Sequence, residues 1–72
     1  MRKYAVVIEG QAGSYSAYVP DLPGCVAIGQ DSVEAAKCLI REAIDTHIHG
    51  LLEDGLAVPE PVTQGDYVEA VA

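Results

Sequence analysis

The chain has 72 residues, half of them apolar, with 4 Lys and Arg against 11 Asp and Glu, a formal net charge of −7 at pH 7. That length predicts one small domain over 1–72, and so short a chain removes only ~60% of its unfolded surface from water on folding, which favours homo-oligomers. The negative field repels a phosphate backbone, no stretch approaches the ~20 apolar residues of a membrane helix, and no secretory leader opens the chain, so a cytoplasmic protein without direct nucleic-acid or membrane contact is expected.

The apolar set is dominated by 10 Ala and 9 Val, with no Phe or Trp, so each buried side chain contributes little area. From Lys3 to Glu9, Tyr4, Val6 and Ile8 alternate with Ala5 and Val7, which predicts a strand apolar on both faces, one of them in need of a second layer or subunit. After Gly10-Gln11-Ala12-Gly13, the alternation of Ser14 to Val19 predicts the other arm of a hairpin. Pro20 and Pro23 flank Asp21 and Leu22; their fixed φ and missing donors exclude a central strand and predict an ordered loop. Cys25 to Ile28 is a third short strand.

Asp31 and Glu34 have the spacing of a capping box. From Ser32 to Asp54, Val33, Ala36, Ile40, Ala43, Ile44, Ile48 and Leu51 draw one helical stripe, opposite Glu34, Arg41, Glu42, Asp45, His49 and Glu53. Gly55 is the stop. Leu39 and Leu52 miss the stripe, and Gly50 marks a bend, a close backbone approach or a tolerated glycine. Pro59 and Pro61 then break regular structure until Tyr67 to Val71, a short closing strand added at a sheet edge or exchanged between subunits. The order predicts an α+β fold: a three-stranded antiparallel sheet, one long helix on one face and a short C-terminal strand.

The residue patterns give no support to catalysis, a metal or a cofactor. His47 and His49, two apart on a helix, project about 200° from one another and do not grip one ion. The helix carboxylates face solvent, Gly10 and Gly13 lack a phosphate loop's following Lys, and Cys25 and Cys38 have neither zinc nor redox spacing. The loop from Tyr18 to Cys25 differs in kind, because rigid prolines, an aromatic and a single acid form a contact surface at low entropic cost.

The run Tyr15-Ser16-Ala17-Tyr18-Val19-Pro20-Asp21-Leu22-Pro23-Gly24-Cys25, followed by Gly29-Gln30-Asp31-Ser32-Val33-Glu34-Ala35-Ala36, resembles the N-terminal domain of HicB-type antitoxins. The resemblance continues through Ile40-Arg41-Glu42-Ala43-Ile44, Leu51-Leu52-Glu53-Asp54-Gly55 and Val58-Pro59-Glu60-Pro61. Ala35 stands where the family often has a second Glu. The resemblance implies a partial ribonuclease-H-like fold without catalytic carboxylates, and binding to HicA, a small basic ribonuclease toxin, which suits a −7 chain. Many relatives carry a further DNA-binding segment; this chain stops about where that would begin, so no separate DNA-binding domain is expected.

The expected function is therefore an antitoxin-like protein, not an enzyme, that neutralises a HicA-like toxin, the alternative being an orphan homo-oligomeric module. Exposure and rigidity single out Tyr18, Asp21, Leu22 and Pro23 in the loop and Glu42 and Asp45 on the helix as partner contacts.

Overall fold

The computed structural model describes residues 2–71. Strands β1 (Val7–Gln11), β2 (Ser14–Tyr18) and β3 (Val26–Gln30) precede one helix, α1 (Val33–Glu53). Both strand pairs are antiparallel and the sheet order is β1-β2-β3, so the fold is α+β with the helix against one face of the sheet.

The β1–β2 hairpin closes where Gln11 meets Ser14 across Ala12 and Gly13. Gly10 lies at φ 131°, and a Cβ there would collide with the Ser14 carbonyl, so this tight return needs glycine. Pairing starts at Val7 instead of Lys3, because Val7 is opposite Tyr18, the last residue of β2, before the chain turns away at Pro20. On the other side, β2 goes from Tyr15 to Ala17 while β3 goes from Gln30 to Ala27. The extra β3 residue is a bulge, taken up by Gly29 at φ 75°, which carries the strand two residues past the expected Ile28.

The pleat sorts the strands into two faces. Ile8, Ala17 and Ala27 are in register on the helix side, where Ala17 and Ala27 are buried with Ala36 and Ile40 of α1. Val7, Tyr18 and Val26 share the other face, which the helix does not cover. Between β2 and β3 the proline loop is closed by backbone bonds from Val19 N–H to Cys25 O, Leu22 N–H to Val19 O and Cys25 N–H to Leu22 O. It folds inward, and Leu22, 1% exposed, plugs the end of the core beside Val19 and Cys25.

The N-cap of α1 is Ser32, not Asp31: its backbone is extended (φ −150°, ψ 162°) and its hydroxyl accepts the Ala35 N–H at 3.0 Å. Asp31 lies one residue too early to reach the orphan amides. Ala36 and Ile40 are buried and Ala43 and Ile44 pack on the core, while Val33, at the helix start, is left exposed. At the other end Gly55 (φ 69°) donates to Leu52 O and Leu56 to Leu51 O, a Schellman stop. A Cβ on Gly50 would meet open space, so no close backbone approach requires that glycine.

The expected closing strand is not formed. Tyr67, Val68 and Val71 are unpaired and almost fully exposed. The segment after the helix is tied back by point contacts instead: the Tyr4 hydroxyl donates to Pro59 O at 2.6 Å, and the Asp21 carboxylate receives Val62 and Thr63. The radius of gyration is 13.7 Å, against roughly 11 Å for a compact chain of this length, as a long helix and an extended tail over a seven-residue core would give.

Candidate functional site

The expected contact residues do not converge. Tyr18, 42% exposed, stands on the uncovered sheet face between Val7 and Val26. Pro23 is exposed at the tip of the loop. Leu22 is withdrawn from any partner, because the loop's three backbone bonds turn its side chain into the core. The Asp21 carboxylate is engaged within the chain: Oδ2 accepts from Val62 N–H at 3.1 Å and Thr63 N–H at 2.9 Å, and Oδ1 from the Thr63 hydroxyl at 2.8 Å. These bonds hold its pKa below the ordinary 3.8, the Thr63 amide contributing most.

Glu42 and Asp45 flank opposite sides of α1. Glu42 lines a groove of about 580 Å³ between the chain from Gly24 to Ile28, which leads into and forms the free edge of β3, and the helix residues Leu39, Ala43, Thr46 and His47. Asp45 lines a second cavity of about 600 Å³ on the β1 side, together with Arg2, Lys37 and Arg41. Three of the chain's four Lys and Arg residues thus gather on the β1 side, and the β3 groove contains a carboxylate and no Lys or Arg. Position along the helix does this: 37, 41, 44 and 45 follow one line of i, i+4 neighbours, and 39, 42, 43, 46 and 47 follow the next.

The β3 groove is what residue-by-residue reading missed. Leu39 was the signal, an apolar residue off the main stripe that is 36% exposed at the groove wall. Val26 and Ile28 are 51% and 74% exposed on the uncovered face of the same edge strand. His47, half-buried, lines the groove and is not enclosed in the core. Among the described residues no group of three or more His, Cys, Asp or Glu is placed to hold a metal ion. None of their helices is long and apolar enough to cross a membrane. Burial raises the pKa of the Cys25 thiol, and Cys38 is a free, exposed thiol. The arrangement offers surfaces for contact: an apolar sheet face, an open strand edge and a largely apolar groove with one carboxylate, Glu42.

Comparison with known proteins agrees with such a role. Residues 4–71 match the model of the HicB-like antitoxins of bacterial toxin–antitoxin systems. An uncharacterized 14.9 kDa protein from the rep-hol intergenic region of Haemophilus phage HP1 (strain HP1c1) is 40% identical over 63 residues, 85% of this chain and 47% of the phage protein. The chain thus spans about half the length of that curated relative. No solved structure matches this chain. With nearly its whole length matched, the chain belongs to the HicB-like antitoxin family, a family that is generally non-enzymatic.

Proposed function

We propose that the chain neutralises a small, basic ribonuclease toxin of the HicA type by covering its active surface in the cytoplasm. No covalent chemistry is involved. The observation that carries this reading is a net charge of −7 on a chain of this family, with a β3-side groove that holds Glu42 and no Lys or Arg, while on the β1 side Arg2 pairs with Glu60 and Lys37 with Glu34. Complementary charge speeds encounter and selects the partner. Tyr18, Pro23 and Glu42 are the contact candidates free of intramolecular work; Asp21 holds the tail, and Asp45 stands among cations.

The test is to produce the tagged chain with the product of the adjacent reading frame, which this reading requires to be short and basic. Stoichiometric co-purification and restored growth of cells poisoned by that protein support the reading; no complex and no rescue defeat it.

A second reading is supported by the uncovered sheet face, where Val7, Tyr18, Val26 and Ile28 lie together. A homo-oligomer closed over that face would supply the layer the small core lacks. Light scattering on the purified chain decides between the two: an oligomer that excludes the basic protein favours the orphan module.

A further inference from the structure

The free edge of β3 and the groove beside it form one surface. The strand has β2 on one side and no partner on the other among the described residues, so the main-chain groups of β3 that do not face β2 are open to a further strand, while just before it Cys25 donates its N–H to Leu22 O and its carbonyl accepts the Val19 N–H. Gln30 covers a single carbonyl, its side-chain amide donating to Ile28 O at 3.1 Å. The edge lacks the usual protections: no proline or charge stands between Gly24 and Ile28, and the bulge at Gly29 lies beyond them. A strand added here sends alternate side chains to opposite faces. One set enters the groove against Leu39, Ala43 and His47, and the other lies on the uncovered face beside Val26 and Ile28.

Charge identifies the occupant. Glu42 is the charged residue at the groove wall, with no Lys or Arg lining it, whereas Arg2, Lys37 and Arg41 surround the cavity across the helix. Glu53 comes within about 20° of Glu42 three turns further on. A second copy paired β3 to β3 would bring the Glu42 and Glu53 carboxylates of both copies to one seam, and an acidic segment would be repelled.

We propose that the β3 edge accepts an extended segment of the toxin as a fourth strand, its apolar side chains filling the Leu39–Ala43–His47 groove and a flanking Lys or Arg pairing with Glu42. Main-chain bonds supply affinity in such an addition, and the pockets for alternate side chains supply selectivity. The inference rests on the toxin-neutralising reading and specifies its contact.

The experiment is amide hydrogen exchange on the 72-residue chain, alone and with a ribonuclease-inactive form of the HicA-type protein that the toxin-neutralising reading requires in the adjacent reading frame. The expected result is slowed exchange at Val26 to Ile28, with binding weakened about tenfold or more by Ile28→Lys and by Glu42→Lys and changed less than about threefold by Lys37→Glu. Both test positions are exposed, and thermal unfolding of each variant confirms that the fold is kept. A complex that leaves the β3 amides exchanging as in the free chain overturns the docking site while the antitoxin reading stands. No complex at all overturns both. Protection of β3 by self-association, without the basic protein, assigns the edge to a second copy and overturns the proposal.

Discussion

Thr63 grips Asp21 twice, through its amide at 2.9 Å and its hydroxyl at 2.8 Å, across 42 positions of sequence. A loop residue with the look of an exposed contact is thereby the anchor of the C-terminal segment. Because these bonds depress the Asp21 pKa below 3.8, the tether is fully present above that ordinary value and is lost as pH falls through the lower folded value. Asp21→Ala is expected to release residues 60–66 at neutral pH with little change in the melting temperature, since the carboxylate is solvent-screened. Faster proteolysis within that segment, matched in the parent chain only below about pH 4, is the measurement.

Leu22 and Tyr18, four residues apart, are expected to behave oppositely. Leu22→Ala opens the end of the core and should cost about 2–5 kcal/mol, enough to unfold a large fraction of so small a domain. Tyr18→Ala, on the uncovered face, should cost under about 1 kcal/mol and leave the unfolding transition cooperative. Urea titrations of both variants check the contrast.

Ser32→Ala removes the hydroxyl that caps α1 and should lower stability by about 1 kcal/mol. Asp31→Ala, one residue outside the cap, should change it by a few tenths at most. Equal effects in thermal unfolding would place the cap wrongly.

The glycines of α1 and the hairpin separate in the same way. Gly50→Ala meets open space in a helix and should stabilise by up to about 1 kcal/mol. Gly10→Ala drives its methyl into the Ser14 carbonyl at a positive φ and should destabilise, with loss of protection in the β1–β2 amides.

Periodicity carried most of the architecture: the stripe through Ala36, Ile40 and Ile44 gave the helix and its buried face, and the Ser14 to Val19 alternation gave β2, which ends one residue earlier at Tyr18. What escaped depends on contacts distant in sequence. Tyr67 to Val71 has the alternation of a strand, yet a strand exists only with a partner edge, and none is paired to it here. Pro-Asp-Leu-Pro reads as surface, yet three local backbone bonds turn Leu22 inward. Asp31 and Ser32 are both good caps by composition; only the dihedrals select Ser32. For the site, Glu42 and Asp45 share one polar helix face in projection, but the flanking cavities put them with different neighbours.

The proposed toxin neutralisation acts through an acidic surface. Its test is RNA cleavage by a purified HicA-type protein from the adjacent reading frame, measured against increasing amounts of the chain at low and high salt. Neutralisation predicts that cleavage stops at a fixed stoichiometry and that inhibition weakens as screening rises. Cleavage that continues unchanged with the chain in excess at low salt would contradict it.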